Sequence, residues 1–366
     1  MFVETMQNRL AQLRVRLRDQ AFDTLMVLRG ENRRYLSGFT GEDGQCDESA
    51  GALFVSSERQ LLATDSRYVT QAKSEAAGFE VFVYEEGLAI SLPEILDMIG
   101  SERVGFESPR LPYAQFLKME EQLKKHAASI SFVPTEGLVE DLRMIKEPQE
   151  IEAIRKSLSL SESVFETLRQ SLRAGVSERE VAWAVEKGLR EGGADAVAFP
   201  PIVASGPNAA LPHAIPTDRT IAEGEPILFD WGARLEGYCS DISRTIVLGT
   251  PDDTFTKVYQ VVKDAQSMAI DAIKPGVSSQ AVDGVARGHI ADKGFKDYFG
   301  HALGHGVGLA THEKPRLSPV RPMDLEAGMV TTVEPGIYIP GWGGVRLENM
   351  VVVQEDGAVV LNSLPL

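Results

Sequence analysis

Four acids and one histidine break into stretches of this sequence that are otherwise apolar or glycine-rich. Asp230 follows ILF, Glu334 follows TTV, Glu348 precedes NMVVV, Asp241 sits in CSDISRT, and His305 stands between glycines in ALGHGVG. Most Asp and Glu are solvated surface charge. A carboxylate inside an apolar strand is different, because without a partner it costs several kcal/mol or must shift its pKa. Metal coordination removes that penalty. An oxygen-rich set with one imidazole suits Mn²⁺ best, with Co²⁺, Fe²⁺ and Zn²⁺ as alternatives. Asp230, Asp241, His305, Glu334 and Glu348 are too many ligands for one catalytic ion that keeps an open position. They fit two divalent ions about 3.5–4 Å apart that share a bridging hydroxide.

The elements that must carry these residues are two antiparallel hairpins. In PILFDWGARLEGYCSDISRTIVLG a turn at Leu235–Glu236 places Asp230 directly across from Asp241, with Cβ atoms about 4.5–5.5 Å apart. A slip of the turn at Gly237 keeps the two acids neighbours. Like charges opposed on a sheet are destabilising, so a cation is expected between them. In MVTTVEPGIYIPGWGGVRLENMVVV, Glu334 ends one β-rich run and Glu348 lies in the next, joined by a Gly- and Pro-rich loop. Period-two alternation puts Arg346, Glu348 and Met350 on one face, where the arginine can orient a carboxylate or a substrate carbonyl.

The hairpins belong to a repeat. LRAGVSEREV (172–181) matches IKPGVSSQAV (273–282), so that Gly175 corresponds to Gly276, Ser177 to Ser278, Val181 to Val282 and Gly193 to Gly294. In each copy a helix ends at glycine and a serine two residues on can cap the next helix. A duplicated α/β unit brings equivalent hairpins to one central site. Ahead of the repeat, TLMVL, GALFVS, LLATD, FEVFVY, RVGFES and SISFVP read as strands, with helical stretches at Ser66–Ala76, Pro112–His126 and Leu138–Met144. The boundary is expected at Lys146-Glu147-Pro148, dividing the chain into residues 1–146 and 147–366.

Composition excludes several classes. The 366 residues exceed one ordinary core, and 43% hydrophobic with 25% charged residues describes a soluble globular protein. No apolar run approaches the roughly 20 residues that span a bilayer. The amino terminus is an amphipathic helical pattern with no signal-peptide core, so a cytoplasmic location is expected. A net charge of −16 argues against nucleic acid or anionic membrane as partner. Two cysteines, Cys46 and Cys239, make no disulfide framework and read as buried free thiols. No glycine-rich phosphate loop follows a strand of the first domain. Of the six histidines, His126 and His289 read as surface residues, while His301 is a candidate supporting partner for His305.

Asp230 to Gly232, SDISRT around Asp241, GHGVG around His305, EPGIY from Glu334 and RLE at Glu348 resemble the pita-bread metallopeptidases. That family includes methionine aminopeptidase, prolidase and aminopeptidase P, with creatinase as a metal-free relative. The resemblance covers the carboxy-terminal domain and implies an α/β (α+β) protein: an amino-terminal creatinase-like α/β domain, then a pita-bread domain with a pseudo-two-fold repeat. It implies that Asp230, Asp241, His305, Glu334 and Glu348 bind the metals, with Asp241 and Glu348 bridging. NRRYLSGFTGEDG (32–44) resembles a segment of aminopeptidase P, and GPNAALPH and THE place His213 and His312 beside the substrate. The implied activity is that of an Xaa-Pro aminopeptidase acting on peptides with proline at the second position, with Xaa-Pro dipeptidase as the alternative and a non-catalytic binding module of the same fold behind both. In it the bridging hydroxide attacks the carbonyl before proline, Glu334 shuttles the proton, and His213 and His312 stabilise the oxyanion or hold the residue after the scissile bond. Tyr338 and Arg346 support them, Phe199 and Tyr338 are candidate walls of a proline pocket, and Asp43 is a candidate partner for the substrate ammonium. Family members commonly pair through the amino-terminal domain, so a homodimer or higher homo-oligomer is expected.

Overall fold

A computed structural model describes residues 2–44, 48–126 and 130–366. The chain divides into two compact units, Met1–Arg143 and Met144–Leu366. The sequence puts this division after Lys146, a few residues later.

In the first unit, six strands form one sheet: β1 (Thr24–Val27), β2 (Ala52–Ser56), β3 (Gln60–Thr64), β4 (Glu80–Val83), β5 (Arg103–Glu107) and β6 (Ser131–Thr135). Each overlaps a run that the sequence predicts as a strand, with β3 starting one residue earlier, at Gln60, and β6 ending one residue later, at Thr135. Their order is β4-β3-β2-β1-β5-β6, parallel at β3–β4, β1–β5 and β5–β6, and antiparallel on both sides of β2. The helices are α1 (Phe2–Leu17), α2 (Gly30–Ser37), α3 (Val69–Glu75), α4 (Leu88–Ile99), α5 (Tyr113–His126) and α6 (Glu140–Arg143). Helix α4 holds Pro93 yet forms, because Leu92, Ile95, Leu96 and Ile99 bury one face against the sheet.

The second unit is built twice. Its first half has α7 (Pro148–Ser171) and α8 (Glu178–Glu191), followed by β7 (Ala196–Val197), β8 (Ile202–Ser205), β9 (Pro226–Trp231), β10 (Ala233–Leu235), β11 (Tyr238–Cys239) and β12 (Ile242–Val247). The second half has α9 (Asp253–Ala272) and α10 (Ser279–Asp292), followed by β13 (Gly304–Gly306), β14 (Glu313–Leu317), β15 (Val330–Val333), β16 (Gly336–Ile339), β17 (Gly343–Arg346), β18 (Asn349–Gln354) and β19 (Gly357–Val360). Pro148 at the start of α7 and a capping box between Glu147 and Glu150 explain why the helix begins there.

The repeat expected from sequence is present in the hydrogen bonds. Gly175 donates its N–H to Ile221 at 2.9 Å, and Gly276 donates to Leu325 at 2.8 Å. Isolated bridges pair Ser177 with Thr220 and Ser278 with Asp324. Ser177 and Ser278 cap α8 and α10 through their hydroxyls. The unit has two cores, one around Leu158, Val185 and Trp231, which second-half residues such as Val330 and Met350 join, the other around Val262, Val282 and Val333.

The first hairpin corrects the expected register. Leu235 pairs with Tyr238, so Glu236 and Gly237 are the turn, with φ of 51° and 82°. A two-residue turn with both φ positive matches the right-handed strand twist, and Gly237 supplies the required conformation one step later than expected. Asp230 therefore lies across from Ser243, not Asp241. Asp241 precedes Ser243 by two positions and shares its face, so the acids remain diagonal neighbours. The strand breaks at Gly232, where a Cβ would collide with the Ser240 carbonyl.

Candidate active site

Each acid among the ligand candidates stands at or just beyond the end of a strand, and the histidine within one. Asp230 is the penultimate residue of β9, Asp241 precedes β12, His305 is in β13, Glu334 follows β15, and Glu348 joins β17 to β18. Strand β13 passes tightly between β14 and β15, since a Cβ at Gly304 would strike the Thr332 carbonyl and one at Gly306 the Lys314 carbonyl. The glycines flanking His305 thus let its backbone reach the centre of the sheet. Asp241, His305 and Glu348 each offer a ligand atom, all within 4.8 Å of one another. His305 Nε2 lies 3.5 Å from Asp241 Oδ2 and 3.4 Å from Glu334 Oε1.

The electrostatics of this cluster call for a cation. Burial raises the carboxyl of Asp241 well above its ordinary range, and Glu348, Asp230 and Glu334 push it the same way. Burial, then Glu334 and Asp230, does the same to Glu348. Glu334 is pushed up to about 8 by burial, against the pull of Arg346. Burial lowers His305 to about 3, so its ring is neutral. Nδ1 lies 3.1 Å from the Gly306 carbonyl and must carry the proton, which leaves the Nε2 lone pair aimed at two carboxylates. Asp230 Oδ1 and Glu348 Oε1 are buried without a hydrogen-bond partner among the described residues. These bare oxygens and the Nε2 lone pair converge on one place, and carboxyls that burial drives to hold protons there fit divalent cations that would displace them.

The outer oxygens are held by the protein. Arg346 donates from Nη2 to Asp230 Oδ2 at 2.6 Å, from Nε to Ser243 Oγ at 2.8 Å, and from Nη1 to Tyr338 Oη and the Pro212 carbonyl. Ser243 in turn donates to Glu348 Oε2 at 2.8 Å. Thr332 donates to Glu334 Oε1 at 3.2 Å and accepts the His305 N–H. Of the two roles expected for Arg346, it takes that of orienting a carboxylate. His301 Nδ1 faces the Ala302 carbonyl at 2.7 Å, so Nε2 accepts from the Tyr338 hydroxyl at 2.9 Å. Burial, then Arg346, lowers His301 to about 4, which keeps that tautomer neutral. His301 therefore supports Tyr338 and, through it, Arg346; it does not reach His305.

A cleft of about 410 Å³ opens over the cluster, lined by all five ligand candidates with Phe199, His213, His312 and Arg346. Tyr338 is behind this lining, engaged with Arg346 and His301. The rings of His305 and His312 have centroids 4.2 Å apart. Arg316 also lines the cleft and was not singled out from sequence. Its position four residues after His312, on a β-strand, was the available signal. Asp43 lies in the first unit, where its carboxylate accepts from Arg33 at 2.7 Å, Arg110 at 3.1 Å and the Ala50 N–H at 2.8 Å. Burial pushes that carboxyl up, but Arg33 and Arg110 outweigh it and hold it below the usual range. Its demand for a positive partner is thus met within its own unit. His126 is half-exposed against Asp97, as expected, whereas His289 Nε2 is buried. Cys239 is buried and forms no disulfide among the described residues, and Cys46 lies outside the described residues.

Residues 152–355 match the family model for metallopeptidase family M24, and residues 9–145 match the creatinase/prolidase amino-terminal domain. An Xaa-Pro dipeptidase of Pyrococcus horikoshii is 36% identical, covering 92% of this chain and 92% of the relative. The solved structure of an Xaa-Pro dipeptidase from Bacillus anthracis superposes with a TM-score of 0.92 at 36% identity, covering 98% of each chain. That of an X-Pro aminopeptidase from Thermotoga maritima gives 0.85 at 36% identity, covering 96% of this chain and 98% of the other. No helix among the described residues is long and apolar enough to cross a membrane. The two α/β units, the duplicated pita-bread fold of the second and the likeness over nearly the whole length agree, and the chain belongs to metallopeptidase family M24.

Proposed function

We propose that this protein is a metal-dependent Xaa-Pro dipeptidase. The observation that carries the reading is Arg316, a cationic side chain on the wall of the cleft that holds the ligand cluster. A guanidinium there can bind a free carboxylate in a bidentate fork. A substrate whose carboxylate must lie one residue beyond the scissile bond is a dipeptide. The Xaa-Pro dipeptidase relatives support the same substrate class.

Asp230, Asp241, His305, Glu334 and Glu348 would hold two divalent ions, with Mn²⁺ the best match to one nitrogen among oxygens. When bound, such ions polarise the substrate carbonyl and make water acidic enough to attack at neutral pH. Glu334, fixed by Thr332 at the cleft floor, takes the proton of that water and delivers it to the leaving proline nitrogen. That nitrogen carries no hydrogen in the peptide, so the reaction cannot end without this delivery. His213 and His312 face the carbonyl oxygen and offer it hydrogen bonds as negative charge develops. Phe199 and the adjoining Pro200 and Pro201 give the apolar surface against which a proline ring packs.

The aminopeptidase reading drawn from the YLSGFTG segment is the second possibility, favoured by the likeness to the Thermotoga maritima enzyme. Mn²⁺-dependent cleavage of Ala-Pro and Ala-Pro-Ala, with chelator controls, separates the two. Alanine released from the dipeptide alone is the expected result. Release from the tripeptide alone would establish the aminopeptidase. In Arg316→Ala, KM for Ala-Pro should rise by about tenfold or more with kcat far less affected, the pattern of a lost ground-state contact.

A further inference from the structure

The segment from Ser205 to Thr217, which carries His213, is held at both ends by one carboxylate. Glu178, in the first turn of α8, is fully buried. Its Oε1 accepts from the Ser205 N–H at 2.7 Å, the Ser205 hydroxyl at 2.9 Å and Asn208 Nδ2 at 3.1 Å. Its Oε2 accepts from the Thr217 N–H at 3.0 Å, the Thr217 hydroxyl at 2.6 Å and Asn208 Nδ2 at 3.1 Å. Arg219 closes the assembly by donating to Ser205 Oγ and to both oxygens of Glu225. At its apex the segment makes one further polar anchor, the Pro212 carbonyl on Arg346. Two glycines let it lie against the second hairpin, since a Cβ at Gly343 or Gly344 would collide with the segment's backbone at Gly206 or Ala209.

The internal repeat shows that the scaffold itself does not need an acid at this place. Position 178 corresponds to 279, a serine. The backbone bonding is the same in both halves: Glu178 donates its N–H to Arg219, and Ser279 donates to Met323. In the second half the Ser279 hydroxyl accepts a single N–H, from Met323. A hydroxyl therefore suffices to tie this helix start to the strand-like segment beside it. The first half has a longer, charged side chain, and only there does a buried acceptor reach across to a loop lining the cleft.

We propose that Glu178 is a positioning residue for His213, gathering the two ends of its loop so that the imidazole stands over the ligand cluster. This inference rests on the functional reading given to His213 above. In Glu178→Gln the one remaining oxygen can serve only one end of the loop, so the buried donors of the other end, on Ser205 or on Thr217, face an NH2 group, a loss of about tenfold in kcat/KM. The loss should act through His213 and so vanish when His213 is absent.

The test is a double-mutant cycle of Glu178→Gln and His213→Ala on Ala-Pro with Mn²⁺, joined to amide hydrogen exchange of the metal-free proteins. Glu178→Gln keeps the side-chain shape, and Glu178→Ala is measured beside it if it folds. Expected is a fall in kcat/KM in Glu178→Gln that is absent in the His213→Ala background, with metal content unchanged. At least one of the Ser205 and Thr217 amides should exchange faster in Glu178→Gln while β9 and α10 keep their protection. Additive losses in the cycle, or unchanged protection at both amides, would overturn the proposal. If the wild type cleaves no Xaa-Pro peptide, the functional reading fails, and the exchange result alone decides whether Glu178 orders the loop.

Discussion

At the residue scale, the cluster separates atoms that the protein holds from atoms that it leaves bare. Asp230 and Glu348 each have one oxygen bonded, to Arg346 and to Ser243, and one buried oxygen with no partner among the described residues. On the proposed reading, removing either acid would delete a ligand and weaken ion binding. Asp241→Ala and Glu348→Ala should each lose two-ion binding and retain less than about 1% of the activity, read by metal analysis beside kinetics. Arg346 is the other decisive residue, because one planar guanidinium meets Asp230, Ser243, Tyr338 and Pro212 together. Lysine cannot reproduce that fork. Arg346→Lys is expected to lower kcat/KM by roughly 10–100-fold and to weaken metal affinity in parallel; normal metal affinity in this variant would contradict the role given to Arg346.

At the scale of elements, hairpin turns decide which residues face each other. Glu236 adopts φ 51° in the first hairpin turn, where most side chains are strained and Asn or Gly is favoured. Glu236→Asn should therefore stabilise the protein by roughly 0.5–1 kcal/mol, seen as a higher urea midpoint at unchanged m. Gly232 has the opposite character. A methyl group there meets the Ser240 carbonyl between the two acids, so Gly232→Ala should destabilise by about 2–4 kcal/mol and disturb metal binding. Of the elements, the strands of the first unit and the two acid-bearing hairpins of the second were legible in runs of β-branched and aromatic residues, as were the capped helix starts at Ser177 and Ser278, whereas short strands such as β13 were not. The hairpin register was misjudged by one turn position, because periodicity fixes the face of a strand and not its partner.

At the scale of the whole molecule, the second unit brings together four carboxyl groups whose mutual repulsion Arg346 and protonation offset in part and bound divalent ions would offset further. Ions that bind the folded state alone stabilise it by about 2.7 kcal/mol at a hundred times Kd. Chelation should accordingly lower the melting temperature of the second unit, and Mn²⁺ should restore it. A melting curve indifferent to chelator, in protein freed of metal, would count against the cluster as an ion site. The duplication also explains why the site is central: each half delivers acids at the ends of its strands, and neither half holds the full set.

The sequence by itself determined which residues gather, since the four acids and His305 line one cleft. Acids that interrupt apolar strands must be neutralised, and their number with one imidazole points to two ions before any coordinates are known. It also determined the repeat, since helix caps and glycines recur at fixed spacing. Tertiary structure alone decided the pairing of Asp230 with Ser243, the pinning of Arg346 to a carboxylate, the confinement of Asp43 to Arg33 and Arg110, the presence of Arg316 on the cleft wall, and the bonding of Glu178 to the loop that carries His213. The physical reason is common to all of these. Residue type and local period are properties of neighbours in the chain, whereas the partner of a charged group is set by which segments the fold brings within about 3 Å.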